Sequence, residues 1–332
     1  MKIFYAVQAT GNGHISRAAE LLPYLEKYGE VDVFLSGSNS QLKTHIHAKY
    51  TSDGLSLVYN KNGGLSYSKI LKNLNPIRIY SEAKKLPVDQ YDIVLNDFEC
   101  ITSLACKIKK IPSLQFGHQA SFLSPNSPRP KHKDRTGEFV LKNYSKSTKY
   151  LGLHFWPYDK NIVSPVLRNS ILNCTPEFHH FIAVYLPQYS CNDILKKLQE
   201  FKSTKFIVHA KEIKKKEVIG NITLMPVDYE MFAESLIYCK GLITGAGFET
   251  PAEALYLGKQ LVVIPINGQY EQLCNAAALM EWDVPVLRKL DEITQNTINT
   301  LLLKSKNQEF QLLHNTEEIV KMAIETALEM HK

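Results

Sequence analysis

The chain has 332 residues, 44% hydrophobic and 22% charged, which is ordinary globular composition and enough length for two cores of common domain size. Its net charge of +6 is modest, and its basic clusters at residues 107–110, 129–135 and 211–216 are spread apart rather than interleaved with aromatics. With no helix-turn-helix, zinc-finger or RNA-recognition pattern beside them, nucleic acid is not an expected partner.

Six cysteines, Cys100, Cys106, Cys174, Cys191, Cys239 and Cys274, show no CxxC spacing, so they read as reduced, mostly buried small hydrophobes, and no metal site or cofactor is expected. The apolar run at residues 3–7 is too short for the core of a signal peptide, and no run of about eighteen apolar residues follows. A cytoplasmic protein is expected, touching a membrane at most from its surface.

In chain order, short apolar runs at residues 3–7, 31–35, 55–59, 91–95 and 113–116 read as strands with helical patterns between most of them. That alternation predicts a parallel sheet with helices on both faces. Residues 38–53 fit no clear pattern. Residues 124–133 are proline-rich and polar, a loop and a candidate flap over a ligand. A second series follows, with strands at 181–186, 205–209, 222–225, 241–244 and 260–264. Helices are expected at 193–201, from 229, and at 248–257, 270–280 and 291–304. The expected fold is α/β: two doubly wound Rossmann-like domains, residues 1–160 and 179–315, joined by a linker at 161–178 that carries Pro165 and Pro176. A last helix within 316–332 has apolar residues at helical spacing and needs a surface to pack on, the interdomain cleft being one candidate.

Strand one runs through Gly11, Asn12, Gly13 and His14 straight into a helix. Glycines let a ligand approach the helix N-terminus, where unpaired N–H groups favour polar or anionic oxygens. In an open α/β sheet the ligand crevice lies outside the carboxyl ends of the strands, where His14 falls. The third glycine of a dinucleotide fingerprint is missing, since Ser16 stands there. Strand four ends at Asp97. If strands one and four are neighbours, that carboxylate can orient the imidazole and make it a general base; alternatively it caps the next helix. Gly13, Arg17, Glu99, His118 and Gln119 are expected to line the same mouth and bind the hydroxyls of an acceptor.

In the second half, Gly245, Ala246, Gly247 and Phe248 again join a strand to a helix, and their backbone N–H groups can cradle a diphosphate. Glu253, one and a half turns into that helix, can reach a ribose hydroxyl pair. Glu271 and Gln272 suit the hydroxyls of a sugar, and Asn275 faces the same way a turn later.

These residues resemble the GT-B glycosyltransferases, both the plant-type UDP-glycosyltransferases and the bacterial enzyme that adds N-acetylglucosamine to a lipid-linked precursor. The likeness covers most of the chain. It rests on Gly13-His14, on Asp97-Phe98 followed by Ile111-Pro112, on Gly245 to Gly247 with Glu253, and on Glu271-Gln272 ahead of Asn275-Ala276. In the plant-type branch the phosphate-touching His corresponds to Gly245 here, and the base-stacking Trp has no counterpart. The resemblance implies an acceptor domain in the first half and a donor domain in the second. It further implies an inverting, metal-independent transfer from a UDP-sugar, with His14 and Asp97 as the catalytic pair. The acceptor expected is a hydroxyl, a lipid or cell-envelope glycan among the candidates, and residues 129–135 beside Phe122 and Leu123 are a candidate contact with anionic membrane. Two other readings share this architecture: an enzyme like UDP-N-acetylglucosamine 2-epimerase, and a non-catalytic nucleotide-sugar binding protein.

Overall fold

The computed structural model of the chain describes residues 1–9, 12–37, 46–54, 75–303 and 310–331. Strand 55–59, Gly11 and the end of the 291–304 helix, as expected from the sequence, lie wholly or partly outside the described residues.

β1 (Lys2–Gln8), β2 (Glu30–Ser36), β3 (Ala48–Ser52), β4 (Ile93–Asp97), β5 (Leu114–Gly117), β6 (Lys149–Leu153) and β7 (Ile162–Val163) form one sheet in the order β3-β2-β1-β4-β5-β6-β7. Every pairing in it is parallel. The second sheet contains β8 (His179–Tyr185), β9 (Lys205–His209), β10 (Glu217–Ile219), β11 (Ile222–Met225), β12 (Cys239–Thr244) and β13 (Gln260–Val263), ordered β10-β11-β9-β8-β12-β13. Only β10 runs antiparallel to its neighbour. Both sheets therefore reverse direction beside their first strand, β1 against β4 and β8 against β12. Loops leaving such a pair diverge to opposite faces and leave a crevice.

The central strands are mainly apolar because both faces are covered; all five residues of β4 are buried, the polar Asn96 and Asp97 falling at its carboxyl end. The hydrophobic pattern misses the interior strand β6, Lys-Tyr-Leu-Gly-Leu, whose lysine and glycine interrupt the apolar run, and strands that lie at sheet edges or are too short to show a period. β3 alternates half-buried with exposed residues, all of β10 is exposed, and β7 has only two residues. The helix expected at 291–304 is a 3-10 turn, Leu290–Glu292, then a helix, Gln295–Leu302, because Thr294 caps the new start and closes a capping box with Thr297. Residues 124–133 hold no helix or strand, and the helix Arg135–Asn143 follows them.

The closing helix, Thr316–Leu328, returns to the first sheet and packs on β4, β5, β6 and the helix Asn12–Leu25. It buries Ile319, Val320, Ala323, Ile324 and Ala327 there, while Lys27 pairs with Glu317 and Lys149 with Glu329 at its two ends. One apolar cluster consequently runs from Ile3 and Leu95 through Phe155 and Val166 to Leu242 and Phe248. The two sheets also meet at Gly137, where a β-carbon would stand 2.4 Å from the Tyr270 ring. Tyr270 in turn donates its hydroxyl to Glu138 across the seam at 2.9 Å. Gly137→Ala overpacks this seam and is expected to lower unfolding stability by about 1–3 kcal/mol. Urea titration is the check, and an unchanged midpoint would mean that the helix and Tyr270 move apart at no cost.

Candidate functional site

β1 and β4 are neighbours, with Val7 opposite Asp97. The helix that starts at Asn12 therefore carries His14 over the end of β4, and His14 Nδ1 lies 3.0 Å from Asp97 Oδ1. Asp97 is fully buried and does not cap the following helix. Glu99 does so instead, accepting from the amides of Ile101 and Thr102 at 2.9 and 2.6 Å. This corrects the expectation that Glu99 faces the mouth. Between the two acids Phe98 adopts a left-handed backbone, φ 55°, which costs a non-glycine residue energy and turns the chain sharply enough to separate their directions.

Arg17, expected to meet an acceptor, is buried behind the imidazole. Its Nη2 lies 2.8 Å from both Asp97 oxygens, its Nε 3.2 Å from Oδ2, and its Nη1 donates to Glu249 at the start of the donor-side helix, Glu249–Tyr256. Burial alone would raise the Asp97 carboxyl, but the guanidinium and then the imidazole outweigh it and hold it below the usual carboxylate range. Gly13 makes this approach of the two loops feasible, since a β-carbon there would sit 2.4 Å from Glu249 Oε2. Nothing in the sequence pattern singled out Glu249; its position as the first residue of the helix after the glycine loop was the available signal.

On the open side of the imidazole, Gln119 Nε2 lies 3.3 Å from His14 Nε2 and donates to Glu271 Oε2 at 3.1 Å. Burial raises the Glu271 carboxyl, with the Gln119 amide opposing it. His14, Gln119, Gly247, Phe248, Glu271 and Gln272 thus border one cleft of about 790 Å³ of atom-free space, whose other wall includes Phe98 and Tyr144.

Several residues expected to contact a ligand also brace the site. His118 is fully buried, stacked on Phe248 with 3.8 Å between ring centroids, its Nδ1 2.9 Å from Leu153 O and its Nε2 2.8 Å from Asn275 Oδ1. Burial pushes its pKa down to about 3, so it is neutral. Asn275 is equally buried and donates to Ala246 O at 3.0 Å, and Gln272 accepts from the Ile266 amide at 2.9 Å. These side chains fix the loop at residues 245–248 from behind and leave Gly247 bordered by open space, with nothing within 4 Å of a β-carbon there. A β-carbon on Gly245 would make only ordinary contact, 3.5 Å from Gln272.

A second pocket, about 530 Å³ of atom-free space, adjoins the first at Gly13 and Glu249 and is bordered by Tyr185, Val227, Tyr229, Phe232 and Glu253. Glu253 forms a two-pronged pair with Arg168 at 2.5 and 2.6 Å, an interaction absent from the sequence reading because Arg168 lies 85 residues away in the linker. Trp156 and Trp282 pair with each other, 6.0 Å between centroids, and line neither pocket. Arg129 is turned inward, on Glu138 at 2.5 Å and over the Phe122 ring, whereas Lys131, Lys133 and Arg135 are exposed. Among the described residues no cluster of three or more His, Cys, Asp or Glu is arranged to hold a metal ion, and no helix is long and apolar enough to cross a membrane.

The profile described as Glycosyl transferase family 1 matches residues 1–305. No curated protein sequence matches the chain. Among solved structures, the glycosyltransferase SnogD from Streptomyces nogalater is 15% identical with a TM-score of 0.57, over 98% of this chain and 99% of that one. SsfS6, a glycosyltransferase from Streptomyces sp. SF2575, gives 13% and 0.59 over 98% and 99%. Arabidopsis thaliana UGT89C1, solved with UDP, gives 11% and 0.56 over 99% and 94%. At these identities the likeness is one of fold: two Rossmann-like sheets in the GT-B arrangement.

Removing one partner of a buried ion pair strands the other charge, whereas removing both is far less costly. Arg168→Met is expected to destabilise the protein by about 3–5 kcal/mol, and the double variant Arg168→Met with Glu253→Leu to recover most of it. Denaturant unfolding of the four members of this cycle is the measurement; additive losses would show that the pair does not hold the linker to the second sheet.

Proposed function

The chain belongs to glycosyl transferase family 1 and is a glycosyltransferase, and from that premise we propose that it transfers a sugar from a nucleoside diphosphate sugar to an acceptor hydroxyl with inversion and without a metal. The observation that carries the reading is the single cleft in which the His14 ring, oriented by Asp97, faces the open side of the glycine loop at Gly247.

In this reading residues 1–160 bind the acceptor and residues 179–315 the donor. The diphosphate rests on the backbone amides of Gly245, Ala246, Gly247 and Phe248, at the N-terminus of an eight-residue helix. The nucleoside enters the neighbouring pocket towards Glu253, and the sugar meets Glu271 with Gln272 behind it. His14 Nε2 takes the proton of the acceptor hydroxyl as its oxygen attacks the anomeric carbon. The bond from that carbon to the diphosphate breaks, and the nucleoside diphosphate leaves with the electron pair, its charge offset by the loop amides. A uridine diphosphate sugar is the favoured donor: matched structures hold pyrimidine nucleoside diphosphates, UDP in UGT89C1 and thymidine diphosphate in SsfS6 and VinC.

The experiment takes two steps. A panel of nucleoside diphosphates, read by thermal shift, identifies the base, since a ligand that binds the folded state raises the melting temperature by mass action. His14→Ala is then expected to lower turnover of the matching donor and acceptor by about 10²–10⁴-fold. Wild-type turnover by that variant removes His14 from the reaction, and conversion of donor with no acceptor present points to a 2-epimerase instead.

The acceptor in this reading is lipid-linked, reached from the cytoplasmic face of a membrane. Its support is the basic segment that leads into the helix Arg135–Asn143: Lys131, Lys133 and Arg135 are exposed, and Phe139 in that helix is a large apolar side chain left 66% open to solvent, whereas Phe122, expected in this contact, is buried. Co-sedimentation with vesicles of anionic lipid is expected at low salt, to weaken at high salt and to fall in Phe139→Ser. No binding at low salt rejects the membrane contact.

A further inference from the structure

The imidazole of His14 is addressed from both sides, and this fixes where its proton sits. Gln119 Nε2 turns one N–H to Glu271 Oε2 and the other towards His14 Nε2, because the opposite amide orientation would set its oxygen against a carboxylate. Nε2 therefore presents its lone pair, and Nδ1 carries the hydrogen that goes to Asp97. That arrangement suits a base. A bare buried carboxylate beside it would nevertheless favour the doubly protonated ring, which takes no proton from anything.

The charge of Asp97 is not bare. Arg17 turns Nη2 and Nε onto both of its oxygens, and Nη2 also stands 3.0 Å from His14 Nδ1, close enough for the cation to disfavour a second charge on the ring. From the other side the guanidinium is held by Glu249, a residue of the donor loop and so of the opposite sheet. The groups facing the ring are thus Asp97 from the end of β4, Arg17 from its own helix, Glu249 from the donor-side helix, Glu271 through Gln119, and the neutral His118.

We propose that Arg17 is a positioning residue that, by occupying the charge of Asp97, sets how strongly the His14 ring feels that carboxylate, and that Glu249 tunes this effect through the guanidinium. The proposal rests on the transferase reading for its purpose but not for its test. Removing the guanidinium leaves the ring beside the uncompensated carboxylate of Asp97, so the ring gains its second proton more readily. Removing the Glu249 charge leaves the cation facing Asp97 and the ring alone, so the second proton is gained less readily. A residue with only a structural role would lower stability in both cases and shift neither titration.

The measurement is a pH titration of the His14 ring by NMR in the full chain labelled with ¹⁵N-histidine, the signal assigned by its loss in His14→Ala. Arg17→Met is expected to move the titration midpoint up by about one pH unit or more, and Glu249→Gln to move it down; Arg17→Lys keeps the charge without the fork and should fall near the unaltered protein. Midpoints that stay in place, or that move the same way in Arg17→Met and Glu249→Gln, overturn the proposal. If Arg17→Met does not fold, the direction of the Glu249→Gln shift decides alone. The readout needs no substrate, so its failure is distinct from that of the transferase reading, which falls when His14→Ala turns over normally.

Discussion

A guanidinium buried between two carboxylates joins the halves of this protein at the point where they would react a substrate. Arg17 reaches Asp97 at the end of a strand in the first sheet and Glu249 at the first turn of a helix in the second, 80 and 232 residues away in sequence. An ion taken out of water regains its solvation cost only with good geometry and several partners, and here both carboxylates and all three nitrogens of the fork take part. The cluster constrains more than it stabilises. It sets how closely the two loops come, requires glycine at position 13, and fixes the face that the imidazole turns to the cleft.

Around that contact the two sheets are arranged alike. Each reverses beside its first strand, and in each a helix opens past a strand end at the resulting crevice, Asn12–Leu25 after β1 and Glu249–Tyr256 after β12. This much was legible because buried parallel strands announce themselves as apolar runs and glycine loops as breaks between run and helix. β3, β6, β7 and β10 were not: β3 and β10 are exposed or half-buried edge strands, β7 has only two residues, and the lysine and glycine of β6 interrupt its apolar run. The 291–304 helix was drawn through Thr294 because helical spacing of apolar residues says nothing about a cap that interrupts it.

The site divides in the same way. His14 and Asp97 could be placed at strand ends from local pattern, and one assumption, that strands one and four are neighbours, was enough to bring them together. Arg17, Glu99 and His118 were assigned by nearness to the mouth and Asn275 by its spacing on a helix, and neither tells which way a polar side chain turns. That depends on partners supplied by distant segments: Leu153 O and Asn275 for His118, the first-turn amides for Glu99, Glu249 for Arg17. Glu253 met the same fate when Arg168 of the linker closed on it. Polar residues next to a cleft are thus drawn inward wherever a buried partner awaits them, and this is a property of the tertiary fold alone.

That inward turn explains how the loop at 245–248 can be both open and rigid. Phe248 is pinned by the His118 ring, Ala246 by Asn275 and the Ile266 amide by Gln272, so the loop is held by its neighbours' side chains rather than by its own. Its N–H groups are left unshielded at Gly247, where a bulkier residue would stand between them and any anion. Donors that are fixed before the ligand arrives need no reorganisation when charge develops on a leaving group, and a backbone set this way can stabilise a diphosphate without a charged side chain at position 245. The brace also crosses between sheets, since His118 follows β5 and Asn275 lies in the helix after β13. Displacing one sheet relative to the other would therefore loosen the loop at 245–248 and part Arg17 from Glu249 together, which makes the cleft a single cooperative unit rather than two sites that happen to face each other.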